Sequence, residues 1–134
     1  MNSQETTILY VDDDELSRTT VSRRLRRMGI RVLEANSAES AFSYLGTEDE
    51  IDLLLLEPAV NQLFGLELYR TLMSQGRFLA TVICTAAVEE IPEEVLQASK
   101  LPADCYCRKP CSFNELLLCI QTALKQSPTA TEGA

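Results

Sequence analysis

Short apolar runs alternate along this chain with segments whose apolar residues recur every three or four positions. "TILYV" (7–11) is an unbroken β-rich run that stops at three aspartates. Between Glu15 and Met28 the positions Leu16, Val21, Leu25 and Met28 predict one face of a helix. Gly29 follows as a residue that closes it cheaply in a left-handed conformation. "IRVLEA" (30–35) predicts a strand, and Asn36, with Glu39 three residues on, the N-cap of a short helix to Leu45. The acidic loop "GTEDE" leads into an apolar strand over 51–56. Leu66, Tyr69, Leu72 and Met73 predict a third helix ending near Gly76. "TVICT" (81–85) predicts a fourth strand, and the stretch from about Pro92 to Lys100 a fourth helix. "DCYCR" (104–108) predicts a fifth strand. Ser112 and Glu115 then form a capping box before Leu116, Leu117, Ile120, Ala123 and Leu124.

Strands that are apolar on both faces and alternate with helices imply a parallel sheet with right-handed crossovers. The expected fold is α/β: one three-layer α/β/α domain with a five-stranded parallel sheet, a (βα)5 chain of the flavodoxin-like, doubly wound kind. A length of 134 residues fits a single core, expected over 1–126. "SPTATEGA" (127–134) is small, polar and Pro-containing, which predicts a flexible tail or the start of a linker.

Charge narrows the function classes. The formal net charge of −8 argues against a nucleic-acid surface, which needs clustered Lys and Arg. Arginines do gather at Arg18, Arg23, Arg24, Arg26, Arg27 and Arg31, and the expectation is a solvated face of the first helix. No stretch is long and apolar enough to span a membrane, and "MNSQETT" has no signal-peptide core, so a cytoplasmic protein is expected. Five cysteines are present; Cys105, Cys107 and Cys111 are spaced C-x-C-x3-C but lack a histidine or a second cysteine pair. Reduced, mostly buried thiols packing as small hydrophobes are expected.

In a doubly wound fold the functional crevice lies outside the carboxyl ends of the strands. The first strand delivers Asp12, Asp13 and Asp14 there, the third Glu57, the fourth Thr85, and the fifth Arg108, Lys109 and Pro110. Asp14 also suits a helix N-cap. Converging carboxylates repel and call for a cation, and oxygen-only ligands suit Mg²⁺. A nearby Lys and Thr suit an anionic phosphoryl group. The chain contains no histidine, which removes Ser-His and Cys-His machinery. No G-x-G-x-x-G or P-loop follows the first strand.

"ILYVDDD", "DLLLLE" with Gly65 eight residues beyond the acid, "VICTAA" and "ADCYCRKP" together resemble a response-regulator receiver domain of two-component signalling, over roughly residues 7 to 125. The resemblance implies that Asp12 and Asp13 form the acidic pair that holds Mg²⁺; Glu57 and a backbone carbonyl near Ala59 can complete the oxygen set, so Mg²⁺ binding is expected to be weak, or lost if Glu57 turns away toward Lys109. It places Thr85 at the switch hydroxyl, Lys109 at its phosphoryl-pairing lysine, and Tyr106 at the aromatic switch. The cis peptide usual in the family falls at Lys109–Pro110. It also implies partners, namely a histidine kinase, an output domain or a second copy of the chain, meeting the region 90–125.

Three features depart from the family. Pro102 stands where glycine is common, and Asn61 replaces a proline while Pro58 directly follows the acid. The third departure is Glu57, which occupies the phosphoacceptor position in place of Asp. Glu adds one methylene and moves the carboxylate by roughly 1.5 Å. A misplacement of about 1 Å can cost on the order of a hundredfold in rate. The expectation is a phosphorylation-independent interaction module, in which Glu57 either imitates the phosphorylated state in part or is an inert rim acid. Two alternatives stay open: a conventional phosphoacceptor receiver, and a Mg²⁺-dependent phosphohydrolase using Asp12 or Asp13.

Overall fold

The structure, a computed structural model, describes residues 6–47, 50–56, 74, 76, 79–85, 106–108 and 112–125, with the backbone alone at Ala38, Thr85 and 106–108. Strands β1 (Thr7–Val11), β2 (Arg31–Ala35), β3 (Leu53–Leu56), β4 (Ala80–Thr85) and β5 (Tyr106–Arg108) form one parallel sheet. Their spatial order is β2-β1-β3-β4-β5. The described helices are α1 (Glu15–Arg27), α2 (Ala38–Thr47) and the C-terminal α3 (Phe113–Lys125). The helices predicted over 66–76 and 92–100 lie outside the described residues, apart from helical Ser74 and Gly76 at φ +74°. So do residues 104–105 of the predicted fifth strand and the tail.

Every residue of β1 and β3 is buried, and their side chains divide by parity between two cores. Ile8, Tyr10, Leu53, Leu55 and Val82 pack with Leu25 of α1 and with Leu116, Ile120 and Ala123 of α3. Leu9, Val11, Leu54, Leu56 and Ile83 pack with Ala41 and Leu45 of α2. This is the expected three-layer arrangement. The third strand begins at Leu53 rather than at residue 51: Asp52 accepts a hydrogen bond from the Thr7 N–H through Oδ2 (2.8 Å) and donates its own N–H to the Thr7 oxygen (2.8 Å). That reciprocal pair ties the entry to β3 to the start of β1.

Local signals set the helix ends. Asp14, in extended geometry (φ −85°, ψ 109°), caps α1 by accepting from the Ser17 N–H at 3.2 Å and from its hydroxyl. Gly29 closes the same helix at φ +86°, where a side chain would meet open space but a strained backbone. In α3 the Ser112 N–H donates to Glu115 Oε1 (2.7 Å) and the Glu115 N–H to Ser112 Oγ (3.1 Å), the capping box the sequence predicts. The cap of α2 falls one residue later than expected. Ser37 Oγ accepts the Ser40 N–H (3.1 Å), because β2 runs through Ala35, and Asn36 instead accepts from the Ser40 hydroxyl (3.1 Å). The helix continues to Thr47, two residues beyond the expected end.

The buried face of α1 differs from the predicted one. Leu25 is fully buried and Val21 half-buried, but Leu16 is 76% and Met28 58% exposed. Leu16 lies nine residues before Leu25, about two and a half turns, and so projects from the opposite side. Met28 lies beyond the last helical residue. The position that completes the inward face is Ser22, fully buried, whose hydroxyl has no hydrogen-bond partner among the described residues.

The arginine cluster is also more structural than expected. Arg18 Nε and Arg26 Nη1 both bind the Glu34 carboxylate, at 3.2 and 2.9 Å, and Arg26 Nη2 donates to the Val32 carbonyl (2.8 Å). The Arg24 guanidinium sits 4.2 Å from the Phe113 ring centroid, joining α1 to α3. Arg23 and Arg27 remain on the exposed face.

Two outcomes follow from these contacts. Ser22→Ala removes an unpaired buried hydroxyl and adds helix propensity, so it raises stability by about 1 kcal/mol. The urea midpoint should rise at unchanged slope; a fall would show that the hydroxyl has a partner. Glu34→Ala deprives the mostly buried Arg18 of its counter-ion and lowers stability by about 1 kcal/mol, less at high salt because Arg26 is half-exposed. An equal loss at low and at molar salt would make the contribution one of packing.

Candidate functional site

Parallel pairing sets one row of residues across the whole sheet. Ala35 pairs with Val11, Val11 with Leu56, Leu56 with Ile83, and Ile83 with Tyr106. At this row β1, β2 and β3 end, while β4 and β5 run two residues further. Asp12 directly follows Val11, and Glu57 is the next residue in sequence after Leu56. Thr85 ends β4 two residues beyond Ile83 and pairs with Arg108 of β5. The crossover from β1 runs to β2 on one side, while β3 lies on the other, so the topological switch point falls between β1 and β3. Asp12 stands at that crevice.

Its environment is specific. Asp12 is fully buried, and each of its polar groups has a partner within the protein. The backbone N–H donates to the Ala35 oxygen (3.0 Å), and the carbonyl accepts from Arg18 Nη1 (2.8 Å). Carboxylate Oδ1 accepts the Asp14 N–H (2.9 Å), and Oδ2 accepts the Tyr10 hydroxyl (2.9 Å). Asp13, next along the chain, is exposed. Arg18, tied at once to Asp12 and Glu34, anchors the acidic end of β1 to α1 and β2.

The expected site residues are thus described in part. Asp12 and Asp13 are brought to the carboxyl end of β1, and the backbones of Thr85 and Tyr106 stand on β4 and β5. Glu57, Ala59, Lys109 and Pro110 lie outside the described residues, as do Cys105 and Cys111. Cys84 is buried and Cys119 half-buried, consistent with packing roles. Among the described residues no group of three or more metal-ligating side chains is gathered.

Asp12 and Asp13 nonetheless fit a hard divalent cation. Both offer carboxylate oxygen, and each oxygen of Asp12 spends one lone-pair position on its hydrogen bond and keeps another. A Mg²⁺ ion held by this pair would supply charge to neutralise a phosphoryl group. An open groove of about 470 Å³, lined by Thr19, Arg23, Arg26, Arg27 and Glu34, contains none of the candidate residues and belongs to the α1–β2 ion-pair cluster.

Residue-by-residue reading of the sequence missed Tyr10 and Arg18. The signal for Tyr10 was present: it is the one hydroxyl-bearing residue inside "ILYV", two before Asp12 and hence on the same face of the strand. Arg18 was submerged in an arginine-rich run and could be singled out only once its burial was known.

Comparison with known proteins agrees with the fold. The family described as the response regulator receiver domain matches residues 8–121. The chain is 32% identical, over its full length and 60% of the relative's, to the response regulator protein TmoT of Ectopseudomonas mendocina. It is 33% identical, over 95% of its length and 52% of the relative's, to the alkaline phosphatase synthesis transcriptional regulatory protein PhoP of Bacillus subtilis. The chain therefore spans little more than half of these curated relatives. Among solved structures, a CheY-like receiver domain protein from Methanospirillum hungatei superposes with a TM-score of 0.79 at 21% identity, over 92% of this chain and 96% of that one. With its 2-1-3-4-5 parallel sheet, its acidic pair at the switch point and these relatives, the chain belongs to the response-regulator receiver domains of two-component signalling.

Proposed function

We propose that this receiver works by binding partners without accepting phosphate, and that Glu57 supplies part of the charge a phosphoryl group would bring. The observation that carries this reading is Glu57 itself. It follows Leu56, whose register partner is Val11, so the extra methylene enters the sequence beside the acidic pair at the switch point. In-line attack on a phosphodonor tolerates little displacement of the acceptor oxygen. A glutamate carries one negative charge, against roughly −1.5 to −2 for a phosphoryl group, so any shift toward an active state is smaller than full phosphorylation gives. Pairing of Glu57 with Lys109, with Thr85 and Tyr106 following, is the arrangement this reading requires. Mg²⁺ binding is retained but weak.

Partners in this reading meet the region 90–125, whose described part includes β5 and α3. Leu118, 64% exposed on α3, is a large apolar side chain available to such a contact. A histidine kinase, a second copy of the chain, or an output domain suits that face. PhoP, named a transcriptional regulatory protein, is nearly twice as long as the stretch it shares with this chain. No membrane-spanning helix occurs among the described residues.

Incubation with a small-molecule phosphodonor and Mg²⁺, followed by intact mass, tests the central point. The natural protein should stay unmodified, whereas Glu57→Asp should gain about 80 Da, the mass of one phosphoryl group. An adduct on the natural protein would restore the conventional phosphoacceptor. If Glu57→Asp also stays unmodified, the loop altered by Pro58 and Asn61 is the cause. Steady turnover of an aryl phosphate would instead favour the phosphohydrolase.

Mimicry and inert scaffold separate on Glu57→Gln. Loss of the charge should move the backbone amide resonances of Thr85 and Tyr106 if Glu57 biases the switch. Changes confined to the residues next to position 57 would identify a rim acid without influence.

A further inference from the structure

We propose that the Tyr10 phenol is a built-in competitor for the cation at the acidic pair, holding Asp12 satisfied when no metal is bound and thereby lowering metal affinity. The inference rests on Asp12 belonging to the cation-binding pair. Asp12 is fully exposed to the cost of burial, since none of its surface meets solvent. A buried carboxylate needs compensation, and a cation or its hydration water is one means. Here the protein supplies that compensation itself: the Asp14 N–H on Oδ1, and the Tyr10 hydroxyl on Oδ2, both at 2.9 Å.

The two donors differ in kind. The Asp14 N–H belongs to the turn that starts α1, and it stays in place as long as Asp14 caps that helix. The phenol is a side-chain group on β1, 4% exposed, whose hydroxyl hydrogen can rotate away from Oδ2. A cation on the remaining lone pair of Oδ2 draws on the same electron density as the donated hydrogen, so each weakens the other even when both are present. Free protein is therefore stabilised by the Tyr10–Asp12 bond more than metal-bound protein is, and the difference is subtracted from the binding free energy. Burial sharpens the effect, because a donor removed from a buried carboxylate leaves an acceptor that water does not reach. The alternative consequence of the same contact is the reverse: a hydrogen bond that merely orients a metal ligand supports affinity, and its loss costs about tenfold to a hundredfold. The two roles predict opposite signs.

The test is Mn²⁺ titration calorimetry on the whole chain, natural and Tyr10→Phe, with thermal unfolding of both in the absence of metal. Tyr10→Phe should bind Mn²⁺ about tenfold more tightly, equivalent to about 1.4 kcal/mol, and should unfold at a lower temperature without metal. A second measurement needs no variant. With tyrosine labelled at the phenolic carbon, the Tyr10 resonance of the natural protein should move as Mg²⁺ is added and saturate with the metal's own binding curve. Weaker binding by Tyr10→Phe, equal binding by the two proteins, or a Tyr10 resonance indifferent to Mg²⁺ overturns the proposal while leaving the metal site standing. Absence of Mn²⁺ heat from both proteins overturns it and removes the metal site as well.

Discussion

The burial of β1 and β3 on both faces is the constraint from which the rest of the molecule follows. A strand with apolar side chains on each side must be covered twice, which calls for helices above and below the sheet. The backbone groups of these strands are consumed in the parallel ladder and their side chains in the two cores, the hydroxyls of Thr7 and Tyr10 excepted. Chemistry is confined to the points where the strands stop. That is why Val11 gives way to Asp12, and Leu56 to Glu57, on neighbouring strands and just past the same row.

Charge in this protein works mainly as fastening. The arginine-rich stretch of a strongly acidic chain is not simply a solvated surface: Arg18 and Arg26 converge on Glu34, and Arg18 also takes the Asp12 carbonyl. One guanidinium thus relates a helix, an edge strand and the acidic turn. Glu34 on β2 and the Asp12 turn beyond β1 are joined through that one side chain. This makes the α1–β2 ion pairs part of the site's support.

Much of this was legible in the sequence because the signals were local or periodic. Short β-rich runs identified the strands, Asp14 and the Ser112–Glu115 pair marked helix starts, and Gly29 marked a helix stop. The acidic pair was legible because it directly follows such a run. What escaped was information carried by burial between distant segments. Leu16 looked like a core residue by type, but helical phase places it opposite Leu25. Ser22 is polar by type, yet it fills the inner face. Asn36 and Ser37 are both good caps, and only the length of β2 decides between them. The Tyr10–Asp12 contact joins residues two apart, but their pairing matters only because both are sealed from water.

The capping box of α3 has a mechanical consequence. Its first turn is closed by two hydrogen bonds exchanged within the four residues Ser112 to Glu115, so the helix needs nothing from the chain before it to hold its end together. A segment tethered to such an end transmits displacement without unwinding it. Leu116, Ile120 and Ala123 grip the sheet along one side, and Leu118 rides on the other. The outer face of α3, with Leu118 near its middle, therefore belongs to a helix whose start is closed within itself.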